Sequence, residues 1–114
     1  MVISCYTLTT SLSRSQDLLD VLRSINGPTL FSKGCILSDI WQHPDNPGMF
    51  LLHEEWSSLE DLKNHVNSPL YHRLLSAMEL CTMKPEVIFM DGSDQRGMEW
   101  VAQVRSLIIK EDIL

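Results

Sequence analysis

Residues 50–71 read Phe50-Leu51-Leu52-His53-Glu54-Glu55-Trp56-Ser57-Ser58-Leu59-Glu60-Asp61-Leu62-Lys63-Asn64-His65-Val66-Asn67-Ser68-Pro69-Leu70-Tyr71, and their punctuation decides the fold. Met49 to Trp56 predicts a strand. Phe50, Leu52, Glu54 and Trp56 share one face of it, and Met49, Leu51, His53 and Glu55 the other, by the two-residue alternation of a pleated strand. Ser57 or Ser58 then caps a helix, with Glu60 and Asp61 in the first turn, where negative charge suits the helix dipole. Leu59, Leu62 and Val66 form its apolar stripe, and His65 lies at the edge of that stripe. Ser68 and Pro69 sit where a cap and a first helical residue belong, so a second helix begins at once.

Working outward, Met1 to Thr9 is β-branched and aromatic and predicts a first strand. Ser13 with Gln16 three residues on has the form of a capping box, and Leu18, Leu19, Leu22 and Ile25 follow at helical spacing. Gly27-Pro28 predicts the stop of that helix. Gly34 to Gln42 predicts a second strand, with Cys35, Leu37, Asp39 and Trp41 on one face and Ile36, Ser38 and Ile40 on the other. The turn run His43-Pro44-Asp45-Asn46-Pro47-Gly48 makes it a hairpin with the third strand. Leu70, Tyr71, Leu74, Leu75, Met78 and Cys81 give the helix after Ser68 a broad apolar face, ended by Lys84-Pro85. Glu86 to Asp91 predicts a fourth strand. Gly92 turns the chain, and Ser93 caps a last amphipathic helix with Met98, Trp100, Val101, Val104, Leu107 and Ile108 at its apolar positions, closing on Ile113-Leu114.

The order is ferredoxin-like β-α-β-β-α-β, an α+β fold with a four-stranded antiparallel sheet and its helices on one face, plus an extra C-terminal helix. Residues 1–92 form the domain and 93–114 the amphipathic helix that packs on it or on a dimer. Both faces of strands two and three are apolar, so the open face needs a second cover.

The bulk numbers fit one globular domain: 114 residues, 44% hydrophobic and 21% charged. Nine basic against 15 acidic residues give a net charge of −6, which argues against a nucleic-acid partner because no basic stripe is present. Cys5, Cys35 and Cys81 are odd in number and scattered, so neither disulfide framework nor zinc site is indicated. Apolar runs are far below the roughly 20 residues needed to span a bilayer, and no signal pattern opens the chain; no membrane and a cytoplasmic location are the expectation. Phosphate-cradling and nucleophile-elbow motifs are missing, and the histidines have no metal-ligand spacing, so no metal and no cofactor are expected.

The Glu-Glu-Trp strand end, the helix carrying His65 and the Ser68-Pro69-Leu70-Tyr71 turn together resemble the antibiotic biosynthesis monooxygenase (ABM) family, over about Val2 to Asp91. The tail Arg96-Gly97-Met98-Glu99-Trp100-Val101 is similar to a helix after the last strand in some bacterial relatives. The resemblance implies a homodimeric α+β barrel with two sheets packed face to face. It also implies a cofactor-independent monooxygenase of a small phenol, quinol or anthrone-like aromatic. The alternative is a non-catalytic dimeric module of the same fold that binds a ligand or a protein. The haem-degrading branch is disfavoured, because Ile3-Ser4-Cys5-Tyr6-Thr7 lacks its strand Asn and Arg73-Leu74-Leu75-Ser76 lacks its late histidine.

On the catalytic reading, His65 is the base that takes the substrate proton; the other reading has it hydrogen-bonding a loop and fixing the helix break. Trp56 is an aromatic wall for the substrate or a core anchor. Tyr71 matches the aromatic of the family's turn, in the core with its hydroxyl toward a polar rim. Asn64 orients a substrate carbonyl or sits on a polar face. Glu55 is expected to form an ion pair near the dimer interface. Arg73 and Arg105 either clamp an anion or are solvated.

Overall fold

The computed structural model describes the backbone of residues 1–113 and the side chains of residues 1–106. Leu107, Ile108 and the terminal pair Ile113-Leu114, read above as apolar, fall outside those side chains. The elements are β1 (Val2–Thr9), a single 3-10 turn (Leu12–Arg14), α1 (Ser15–Leu30), β2 (Cys35–His43), β3 (Asn46–Trp56), α2 (Leu59–Val66), α3 (Pro69–Met78), β4 (Glu86–Asp91), β5 (Asp94–Arg96) and α4 (Met98–Ile113). The sheet is antiparallel and open, with order β2-β3-β1-β4-β5. The first four strands and their helices form the ferredoxin-like arrangement, and a fifth strand is added at the edge.

Strand alternation divides the molecule into two faces. Val2, Ser4, Tyr6 and Leu8 of β1 point to the helices, as do Phe50, Leu52, Glu54 and Trp56 of β3, and all eight are buried. Leu18, Leu22 and Ile25 of α1, Leu62 and Val66 of α2, and Leu74 and Ala77 of α3 close over them. Trp100, Val101 and Val104 bring α4 into the same core. Among the described residues no layer covers the opposite sheet face. Trp41, Leu51 and Ile88 are exposed there at 61%, 37% and 43%.

Five local readings need correction. Gly27-Pro28 does not stop α1, which runs to Leu30 with Pro28 inside it. Pro28 and Ser24 are both exposed, so the Ser24 carbonyl that loses its i+4 amide donor can turn to solvent. The Ser13–Gln16 capping box does not form. Ser13 lies in the 3-10 turn with its hydroxyl 3.2 Å from that of Ser11, and Gln16 donates to Asp20 at 2.9 Å. Cys35 does not share a face with Leu37: a register shift between them makes Ile36 the bulged residue and sets Cys35 opposite Trp56, toward the helices. Helix α3 ends at Met78, not Lys84, because the chain is drawn onto β1. Thr82 N–H donates to Thr9 O at 2.9 Å and the Thr10 hydroxyl to Leu80 O at 2.6 Å. Finally, Ser93 caps no helix; with Gly92 at φ 63° it forms the turn of a hairpin that returns as β5.

The connection that positions α2 depends on Gly34. Its φ is 82°, and a Cβ there would come within 2.2 Å of Asp61 Oδ2. Asp61 in turn accepts the hydroxyls of Ser57 (2.8 Å) and Ser58 (3.0 Å), which fasten the start of α2. Gly34→Ala should therefore destabilise the fold by about 2 kcal/mol or more, the left-handed penalty for a residue with a Cβ plus the clash. Urea denaturation checks it, and an unchanged midpoint would contradict this account of the turn.

Candidate functional site

Three elements converge beneath the helices. β3 carries Glu54 and Trp56 inward; β1 sets Ser4 directly opposite Glu54. The Ser4 hydroxyl donates to Glu54 Oε1 at 2.9 Å. α2 is capped by Ser58, whose side chain accepts the Asp61 N–H at 3.1 Å, and this fixes the rotation that buries Leu62, His65 and Val66. Ser68 restarts the helix by accepting the Tyr71 N–H at 3.3 Å, which sends Tyr71 inward.

The side chains meet as a shell around one imidazole. The His65 ring lies 4.6 Å from the Trp56 ring at 31°, and Tyr71 meets it edge-on at 5.4 Å and 89°. His65 Nε2 is 3.9 Å from Glu54 Oε2, longer than a hydrogen bond. Behind Tyr71, its hydroxyl and that of Tyr6 are 2.9 Å apart. Glu54 Oε2, Trp56 Nε1 and both ring nitrogens of His65 are buried without a hydrogen-bond partner. Leaving a buried donor or acceptor unpaired costs about 1–3 kcal/mol. Four in one cluster point to a role beyond packing.

Burial governs the charge state. It pushes the Glu54 carboxyl from its ordinary 4.5 up to about 7, against the pull of the Ser4 hydroxyl and of the nearby Trp56 indole N–H, which stands beyond hydrogen-bond geometry. It drives the His65 imidazole from 6.5 down to about 4. It also raises the hydroxyls of Tyr6 and Tyr71, so both stay protonated at neutral pH. The result is a neutral imidazole facing a carboxyl that gives up its proton close to neutral pH, a pairing suited to proton transfer.

His65 also lines a pocket of about 250 Å³ with Ser32, Lys33, Asp61, Asn64, Ser68 and Leu70. Of the four residues singled out from the sequence, His65, Trp56 and Tyr71 come together in the buried shell. Asn64 is exposed on the pocket instead. Trp56 and Tyr71 wall the imidazole and do not line that pocket. Sequence reading passed over Glu54, Ser4 and Tyr6 as functional residues. The alternation that set Glu54 beside Trp56 on one strand face was the available signal. Glu55, read for an ion pair, lies on the open face with its Oε2 3.5 Å from His53 Nε2. Among the described residues no three His, Cys, Asp or Glu side chains converge as metal ligands. No described helix is long and apolar enough to cross a membrane.

The sequence profile of the antibiotic biosynthesis monooxygenase family matches residues 1–76, and the chain belongs to that family. None of the curated proteins matches it. Among solved structures it is similar to a Deinococcus radiodurans protein named for the same family, at 25% identity and TM-score 0.74 over 82% of this chain and 94% of that one. It shares its fold with Rv0793 of Mycobacterium tuberculosis, at 24% identity and TM-score 0.73 over 82% and 95% of the two chains. It also shares it with SnoaB, a cofactor-independent oxygenase from Streptomyces nogalater, at 11% identity and TM-score 0.70 over 82% and 93%.

Burial shifts Glu54 and His65 in opposite directions, and this sets opposite pH slopes of stability. The raised carboxyl contributes stability that is fully present below pH 4.5 and lost as pH rises toward about 7. The depressed imidazole contributes stability present above pH 6.5 and lost as pH falls toward about 4. One proton is worth about 1.4 kcal/mol per pH unit. Relative to the parent protein, Glu54→Gln should gain stability as pH rises from 4.5 to 7. His65→Gln should lose relative stability as pH rises from 4 to 6.5. Denaturant titrations across pH 4–8 test both; parallel curves for all three proteins would refute the assigned charge states.

Proposed function

We propose that this chain is a cofactor-independent monooxygenase of a small phenol, quinol or anthrone-like aromatic, with His65 as its base and Glu54 as the group that holds the imidazolium. The observation that carries the reading is the buried Glu54–His65 pair, 3.9 Å apart inside an aromatic shell. Its support from likeness is family membership and the shared fold of SnoaB.

The substrate hydroxyl reaches His65 through the pocket between the α1–β2 turn and the α2–α3 junction, with Lys33 and Asn64 at its rim. The imidazole takes the hydroxyl proton, and ionised Glu54 stabilises the imidazolium. The aromatic anion gives one electron to dioxygen, and the phenoxyl radical and superoxide combine at ring carbon. A carbon–oxygen bond forms, the peroxide O–O bond breaks, and one oxygen leaves as water with the ring hydrogen and the proton returned by His65. A quinone remains, and dioxygen is the only oxidant used. Trp56 and Tyr71 hold the ring plane of the base and keep water from it.

A second copy of this chain covers the open sheet face, seated over the apolar groove of about 470 Å³ lined by Thr7, Trp41, Met49 and Leu51. The other reading, a dimeric ligand- or protein-binding module, draws on the near-complete burial of the imidazole, whose side chain is 1% exposed.

Oxygen uptake against hydroquinones and anthrones separates the two. The parent protein should consume oxygen, with kcat rising through about pH 7 as Glu54 ionises. His65→Ala should lose about a hundredfold or more, and Glu54→Gln should remove the limb near pH 7. A protein that binds these aromatics without consuming oxygen is the binding module. Sedimentation at micromolar concentration should give about twice 13.1 kDa, and a clean monomer would remove the second copy from the open face.

A further inference from the structure

We propose that α4 completes the site: Arg105 is a positioning residue that clamps the α2–α3 junction and thereby sets the orientation of His65. The inference rests on the reading of His65 as the base, and it assigns a role to a helix beyond the residues 1–76 that carry the family profile.

The last carbonyls of α2 are met in three different ways. Lys63 O accepts the Asn67 N–H at 3.0 Å. His65 O accepts both the Ser68 N–H at 3.0 Å and the Ser68 hydroxyl at 2.6 Å. Val66 O accepts Nη1 of Arg105, a donor 39 residues away in sequence. The bond is partly buried, and a guanidinium at a helix C-terminus also opposes the negative end of the dipole. Val66 directly follows His65, so the clamp acts one residue from the imidazole. It also fixes the break from which Tyr71 departs.

α4 reaches the same shell by a second path. Val101 and Val104, one turn and one residue before Arg105 on the helix, are buried in the core. Trp100 packs on Phe89 at 4.8 Å, and Phe89 meets Tyr6 edge-on at 5.9 Å and 88°. Tyr6 in turn bonds Tyr71. The guanidinium charge also opposes the rise that burial imposes on the Tyr71 hydroxyl. A solvated surface arginine would make neither the partly buried contact nor this charge effect.

The test uses the full chain with Arg105→Met, which keeps the aliphatic stem, and Arg105→Lys, which keeps the charge but not the fork. Amide hydrogen exchange at Asn67, Ser68 and Tyr71 should accelerate at least about tenfold in Arg105→Met, with α1 amides unchanged. The ring NMR signals of His65 should shift. Oxygen uptake should show kcat reduced roughly ten- to a hundredfold with KM within about twofold, and Arg105→Lys should recover part of it. Unchanged exchange at the junction and unmoved His65 signals would overturn the clamp. A lower melting temperature with kcat and His65 signals intact would reduce Arg105 to a packing residue and overturn the proposal equally. If the parent protein consumes no oxygen, the oxygenase reading fails, while exchange and the His65 signals still decide whether Arg105 positions the ring. Should Arg105→Met not fold, the same readouts on Arg105→Lys decide it.

Discussion

The two-residue period of β3 is the constraint from which the site follows. A strand that buries Phe50, Leu52 and Trp56 against the helices must also bury whatever stands at position 54. A slip of one residue would turn all three apolar side chains outward, each worth roughly 1.5–3 kcal/mol of burial. Raising the Glu54 carboxyl from 4.5 to about 7 costs about 3 kcal/mol near neutral pH. The apolar set wins, and the carboxyl is carried into the core with the Ser4 hydroxyl bonded to it and the Trp56 indole N–H close by. The cost is smallest when Glu54 is protonated, so the same burial that destabilises the charge moves its ionisation up to about pH 7.

The helical layer answers this strand with an interruption. One uninterrupted helix from Leu59 to Met78 would carry a single stripe. Breaking it at Asn67 and restarting it at Ser68 lets two separately capped helices aim at one point. The first delivers His65 and the second Tyr71, and Trp56 stacks on the imidazole from the strand side. Side-chain caps set both starts, so the angular placement of the imidazole depends on the hydroxyls of Ser58 and Ser68 as directly as on its own contacts.

Much of this was legible because the signals are local. Serine caps at Ser58 and Ser68, the hairpin turn after His43, and the alternation of β1 and β3 all act within a few residues, and the structure contains each of them. The errors came where distant groups override a local rule. Pro28 was read as a stop, yet on an exposed turn its missing donor is tolerated. Lys84-Pro85 was read as the end of α3, yet the hydrogen bonds of Thr82 and Thr10 across to β1 unwind the helix first. The bulge at Ile36 and the return of the chain as β5 are matters of pairing geometry that a one-dimensional pattern does not carry. For the site, His65, Trp56 and Tyr71 were visible as a constellation. Alternation also puts Glu54 on the inward face with Phe50, Leu52 and Trp56, but its pairing with His65 is a contact between a strand and a helix that the sequence pattern does not carry.

One environment shifts the two titrating groups in opposite senses, and this sets the charge of the shell. Low polarity favours the neutral form of each, so between about pH 4 and 7 the cluster carries little charge. As Glu54 ionises, a negative carboxylate appears 3.9 Å from an imidazole that is still neutral, and the imidazole becomes the better base for it. Burial holds the His65 imidazole down near 4, and an ionised carboxylate beside it favours the imidazolium against that burial. The charge state of the cluster therefore belongs to the pair, with the aromatic shell setting the polarity that shifts both members.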